Sequence, residues 1–239
     1  MKREIVKTAD GSFTLREENS QECFHSTNGA YTESMHIFIK NGLKYYLDKI
    51  LDNNSQQTHV NILEIGFGTG LNCILTAVSL EHYPNITTNY NTIEKYPLTI
   101  EEFEQLNYKT IIDQKFHAFI KKIHLCNWNK REKITDRFFL NKIEGDLKEL
   151  HIKKEQLLER NSINVVYFDA FSPNIDPTLW SKKIFKNLFE LMDNNAVLVT
   201  YSVKGDVKRA LREAGFNVTR KAGPPGKRHI TIARKLLFN

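Results

Sequence analysis

The segment NILEIGFGTGLNCILTAVSL, residues 61–80, limits what this chain can fold into more than any other. An apolar run ends at Glu64, glycines follow at 66, 68 and 70, and an apolar pattern with helical spacing runs on to about residue 82. That order reads as strand, tight turn and helix. Glycines at such a turn let a backbone approach a ligand closely, and the helix N-terminus behind them offers unpaired amides. A dinucleotide-binding turn spaces its glycines GxGxxG. Here they alternate and follow an acid at the strand end, which makes a nicotinamide dehydrogenase the weakest reading.

The rest of the chain supplies a sheet to carry that turn. Residues 4–16 read as a hairpin turning at Asp10-Gly11, and residues 30–51 as a helical region with a break at Asn41-Gly42. Together they form an N-terminal extension within residues 1–55. Residues 56–239 then alternate: strand 60–65, helix 71–82, strand 89–94, a charged helical insertion over about 96–136, strand 138–146 and a helix near 153–160. A buried strand at 163–171, a helix at 177–192, a strand at 196–202 and a helix at 204–214 follow. Two last strands, near 216–221 and 229–235, are joined by AGPPGK. The pattern predicts an α/β fold, a mostly parallel sheet with an antiparallel C-terminal strand. At 239 residues, one domain with decorations is expected.

Composition excludes several classes. No apolar run approaches the roughly 20 residues that span a bilayer, and the start MKREIVKTADGSF lacks the apolar core of a secretory signal. A cytoplasmic protein is expected. Cys23, Cys73 and Cys126 stand far apart with no CxxC, so free thiols are expected. His117, His124 and Cys126 fall in a Lys-rich amphipathic segment and read as surface or packing residues, so no metal is assigned. The net charge of +6 favours a polyanionic partner. Basic residues gather in KKIHLCNWNKREK (121–133) and along the C-terminal stretch from Lys204 to Lys235, where solvated helix faces are the alternative.

Acids recur where the strands end. Glu94 lies at the end of the strand after the glycine turn, where a carboxylate can accept both hydroxyls of a ribose, and Asp146 and Asp169 follow two further strands. Each alone is equally a strand-end or cap carboxylate. Their joint order at successive strand ends argues for a site.

Four segments carry a resemblance to a known family: LEIGFGTGLN, GAYTESMHIFIKNGL upstream, VVYFDAFSPNIDPTLW, and REAGFNVTRKAGPPGKRHITIARK near the end. The first resembles motif I of class I S-adenosylmethionine (SAM) methyltransferases, which have a Rossmann-like fold. Taken together, and over most of the chain, they resemble the MnmC-type methyltransferase domain, also found alone as MnmD. The resemblance implies SAM as cofactor, tRNA as partner, and N-methylation of the 5-aminomethyl group on a wobble uridine, often 2-thiolated, to 5-methylaminomethyluridine. It also implies an upstream wobble-uridine enzyme that supplies the amine. The flavin chemistry of two-domain members is not carried over, and Lys227-Arg228-His229 replaces their more usual Lys-Arg-Glu.

On that resemblance Glu64, Gly66, Gly68 and Gly70 cradle the cofactor, Glu94 holds its ribose and Asp146 its adenine amino group. Glu33 in YTESMHIF closes over the methionine end, or only caps a helix. Asp169 is the catalytic residue. An ordinary carboxylate with a pKa of about 3.9 accepts poorly from an amine near ~10.4, so it is expected to position the amine more than to deprotonate it. Phe171 packs on the uracil or the cofactor, or belongs to the core. Lys227 and Arg228 contact phosphates or the modified base, or are hairpin-loop cations. Methylation of an exocyclic nitrogen needs no covalent nucleophile. Two rivals remain: a SAM-dependent transferase acting on a small, polyamine-like amine, which calls for more acids, and a non-catalytic RNA-binding relative, against which the intact acids speak.

Overall fold

Strand β1 (Arg3–Lys7) turns through Asp10-Gly11 into β2 (Phe13–Glu17), pairing antiparallel from Arg3↔Glu17 to Lys7↔Phe13. The computed structural model describes residues 2–19, 21–51, 58–152 and 160–236. Eight further strands form one sheet: β3 (Thr58–Ile65), β4 (Ile86–Glu94), β5 (Arg131–Lys133), β6 (Phe138–Glu144), β7 (Ile163–Phe168), β8 (Met192–Thr200), β9 (Asn217–Ala222) and β10 (His229–Arg234). Their order is β5-β6-β4-β3-β7-β8-β10-β9. Strands β6, β4, β3, β7 and β8 are mutually parallel, while β10 runs antiparallel to both β8 and β9, as the sequence predicts.

Register decides where the chemistry can sit. Ile65 is level with Ile93 on one side and Phe168 on the other, and Glu94 is level with Glu144. The carboxyl ends of four neighbouring strands therefore finish together. Open α/β sheets bind ligands at that edge.

Strand β7 is buried at every residue, and its neighbours face opposite ways. Tyr167 joins a core with Ile37, Phe38, Ile74 and Tyr90, whereas Val166 and Phe168 join one with Trp180, Phe185 and Leu211. The first face carries the N-terminal helix, α3 (Leu71–Leu80) and the insertion; the second carries α6 (Lys182–Leu191) and α7 (Gly205–Glu213). Among the described residues no helix is long and apolar enough to cross a membrane.

Several local expectations are corrected. Residues 30–51 run without a break from α1 (Ala30–Ser34) through ten π-helical residues, Met35–Lys44, into α2 (Tyr45–Leu51). Gly42 is there for contact: a Cβ would come within 3.0 Å of Tyr167 and Val199, so only hydrogen lets the helix lie this close to the sheet. The insertion holds α4 (Ile100–Gln105), closed by a Thr99–Glu102 capping box, and α5 (His117–Leu125), but it ends in β5, an edge strand on β6. The helix expected over 177–192 is divided at Ser181 into a 3-10 turn, Pro177–Trp180, and α6. The helix expected near 153–160 lies, apart from Arg160, outside the described residues.

Candidate active site

A cleft of about 570 Å³ opens at the carboxyl ends of β3, β4, β6 and β7 and is covered by residues 22–27 and by Lys227. The glycine turn forms one wall. Gly66 adopts φ 90°, and a Cβ there would lie 2.7 Å from the Asp169 carbonyl oxygen, so the two strand-end loops touch only through glycine. The insertion braces the same turn from behind. The Thr69 carbonyl accepts from the Tyr108 hydroxyl (2.6 Å) and lies 3.0 Å from His124 Nε2, while the His124 ring stacks on Phe103 at 3.7 Å.

The strand-end acids divide by exposure to the cleft. Glu94 faces it, accepting from Gly68 N (2.9 Å) and Tyr96 N (2.7 Å), so one carboxylate ties the glycine turn to the end of β4. Asp146 also faces it, with Lys95 at 3.2 Å and Lys148 at 3.6 Å. Glu64 does not. It is fully buried behind the wall, accepts from the Thr92 hydroxyl (2.9 Å), and burial and the nearby Asp169 hold its carboxyl well above the usual range. Gly70 is likewise set back, at the start of α3.

Asp169 directly follows β7 and lines the cleft. Burial first, then the charge of Glu33, push its carboxyl up to about 7, against a hydrogen bond from Asn72 Nδ2 (2.8 Å) and the charge of Lys227, which lower it. A carboxyl with that pKa can accept a proton near neutrality. Phe171 lines the cleft and meets Phe24 edge to face at 5.1 Å.

Lys227 and Arg228 go separate ways. The ammonium of Lys227 enters the cleft, pairs with Glu33 and lies 4.5 Å over the Tyr201 ring, whereas Arg228 is exposed. The second oxygen of Glu33 accepts from Ser26 N at 2.7 Å, so Glu33 is a cleft-wall anion and not a helix cap. The sequence reading missed Glu22, His25, Asn72 and Tyr201. Asn72 closes the segment LEIGFGTGLN and Tyr201 follows the end of β8, so both stood where strand-end residues are sought, whereas only the pairing of residues 22–26 beside the hairpin brings Glu22 and His25 to the cleft.

The donor set suits SAM better than a dinucleotide. Lys95 and Lys227, two cations on the wall, are each paired with an acid, which is unsuited to a pyrophosphate; acids at two strand ends suit ribose and adenine. Residues 107–236 match the model of a family of S-adenosyl-L-methionine-dependent methyltransferases. The chain belongs to that family. S-adenosyl-L-methionine is its methyl donor. The bifunctional protein MnmC of Pseudoalteromonas atlantica, named for tRNA 5-methylaminomethyl-2-thiouridine biosynthesis, is 31% identical over 97% of this chain and 34% of its own length. The chain thus spans about a third of that relative. MnmC2 from Aquifex aeolicus superposes with a TM-score of 0.75 and 26% identity, over 97% of this chain and 70% of that one. The MnmC-type resemblance read from the sequence is borne out. A spermidine synthase from Thermotoga maritima (TM-score 0.57, 14% identity, 98% of this chain and 69% of that one) shares the fold alone.

Proposed function

We propose that this methyltransferase acts on the 5-aminomethyl group of a wobble uridine in tRNA, 2-thiolated or not, and converts it to 5-methylaminomethyl. The observation that carries the reading is Asp169, a buried acid in a cleft lined also by Gly66, Gly68, Glu94 and Asp146. Similarity to MnmC2 and to MnmC supports the substrate.

An alkyl amine is mostly ammonium at neutral pH and has no lone pair to offer. The Asp169 carboxylate accepts that proton and fixes the neutral nitrogen by hydrogen bonding. The nitrogen lone pair is then free to accept the methyl group that SAM, held by the residues below, would supply, with the sulfur keeping the carbon–sulfur electron pair. SAM supplies an activated methyl group. Glu94 and Asp146 hold ribose and adenine, Gly66 and Gly68 present backbone to the cofactor, Phe171 packs on the uracil, and Arg228 meets phosphate. Glu64 and Gly70 act from behind the wall by fixing the turn. Lys227 sits where it disfavours a second positive charge. Such a substrate places the enzyme in the cytoplasm, downstream of a wobble-uridine enzyme that supplies the free amine.

Nucleoside mass spectrometry of tRNA bearing the aminomethyl precursor, incubated with the protein and SAM, tests the reading. A gain of one methyl on that nucleoside is expected. Methylation of spermidine or putrescine in its place would overturn it.

A further inference from the structure

Residues 22–26 follow the N-terminal hairpin and touch almost every working part of the cleft. Cys23 bridges to Arg16, and Phe24 N and His25 N bond back to Leu15 O (2.8 Å) and the Thr14 hydroxyl (3.0 Å), so the segment is held as a short extra strand. From it Glu22 accepts from Ser172 N in the loop after Asp169 (3.0 Å), Phe24 packs on Phe171, and Ser26 N donates to Glu33. His25 is buried between Thr69, whose Oγ1 is 2.9 Å from Nε2, and Asp169, whose Oδ2 is 3.9 Å from Nδ1.

We propose that His25 is a positioning residue for Asp169, with Nδ1–H directed at the carboxylate and Nε2 accepting from the Thr69 hydroxyl, so that the N-terminal extension supplies part of the reaction centre. The proposal rests on the reading of Asp169 given above. Thr69 can donate or accept and leaves the tautomer open. An ionised carboxylate only accepts, so it favours the tautomer that carries the proton on Nδ1; at 3.9 Å the contact is electrostatic and not a hydrogen bond. Burial pushes the His25 imidazole down to about 4, so it is neutral and acts as a dipole.

Other groups face Asp169 from each surrounding element: Glu33 from α1, Glu64 from β3, Asn72 from α3, Tyr201 after β8 and Lys227 from the β9–β10 loop. Lys227 and Glu33 pair with each other and act on Asp169 with opposite signs. At the same carboxylate oxygen, Oδ2, stand Asn72 and His25. Asn72 donates to it, and the positive end of the imidazole dipole turned toward it also favours the ionised form, so removing that dipole raises the pKa of Asp169.

Two isosteres separate the two nitrogens. In His25→Asn the side-chain amide N–H stands near the place of Nδ1; in His25→Gln the amide reaches Thr69 and no N–H from residue 25 faces Asp169. The Asp169 carboxyl is followed by carbon NMR across a pH series in the full chain without cofactor, and the pH profile of methyl transfer to precursor tRNA is measured beside it. In His25→Gln the carboxyl midpoint and the acid limb of kcat should both move up by about half a unit to one unit. His25→Asn should stay near wild type, with SAM affinity within about twofold in both variants by the same logic. Equal midpoints in all three proteins, or equal shifts in both variants, overturn the proposal whatever the activity. If wild type transfers no methyl while the midpoints separate as expected, the substrate reading fails and the relation of His25 to Asp169 stands.

Discussion

Lys227 and Glu33, from opposite ends of the chain, meet as an ion pair in the wall of the cleft, with the ammonium 4.5 Å above the Tyr201 ring. Glu33 is nearly buried, and Lys227 keeps 29% of its side chain exposed. The pair therefore closes the cleft where the terminal hairpin crosses the N-terminal extension.

Breaking one half of this pair should cost more than removing both. Lys227→Met leaves a buried carboxylate unpaired and should lower stability by roughly 1–3 kcal/mol, less than a fully buried pair because lysine is partly solvated. Adding Glu33→Gln should recover part of the loss. Urea denaturation of the single and double variants measures it, and strictly additive losses would show that the ion pair couples nothing.

Arg228, in contrast, is free to meet a polyanion. Arg228→Ala should weaken tRNA binding and flatten the logarithmic salt dependence by about 0.7, the value for one contact to a single-stranded phosphate. Lys227→Met should leave that slope unchanged. Filter binding across a salt series checks both, and a slope that follows Lys227 instead would place that side chain on phosphate.

Glu94 ties the glycine turn to β4 and is proposed to hold the ribose. Glu94→Ala should weaken SAM binding by about 1.5–3 kcal/mol, the range for hydrogen bonds to a charged group. Glu94→Gln should lose less, since its amide oxygen still accepts. Calorimetry that finds SAM affinity unchanged in Glu94→Ala would remove the residue from the site.

Asp169→Asn should abolish turnover, keep SAM affinity and change how stability responds to pH. The folded carboxyl titrates at about 7 because burial disfavours its charge, whereas the unfolded one titrates near ~3.9. Between those values the unfolded chain releases its proton first, so stability falls as pH rises through the window and stays lower above it. The amide does not titrate. Its melting temperature should exceed that of wild type above pH 7 by more than at pH 4 to 5, and a constant difference across the range would refute the shift.

The sequence carried the parts of the site that parallel strands impose. Once Glu64-x-Gly66 marks a strand end, level register delivers Glu94, Asp146 and Asp169 to the same edge, and the uniformly apolar VVYF reads as a buried strand. What register does not control was not legible. Glu64 and Glu94 look alike as strand-end acids, yet one is fully buried and the other lines the cleft. Asn41-Gly42 has the composition of a break, but the glycine serves packing against Tyr167. The partner of Lys227 and the place of His25 depend on contacts between distant segments, and no local spacing encodes those.

The bond from Ser172 N to Glu22 and the pair of Lys227 and Glu33 join segments far apart in the chain. Strands β3 and β4 and the helix between them are neighbours in the chain and can associate early. Contacts between distant segments come at a higher entropic cost of loop closure. During synthesis from the N-terminus, the glycine turn and Glu94 emerge well before Ser172 and the terminal hairpin. A nascent chain can thus hold residues 23–26 against the N-terminal hairpin while Glu22 and Glu33 still await Ser172 and Lys227, and the cleft is complete only when the terminal hairpin arrives.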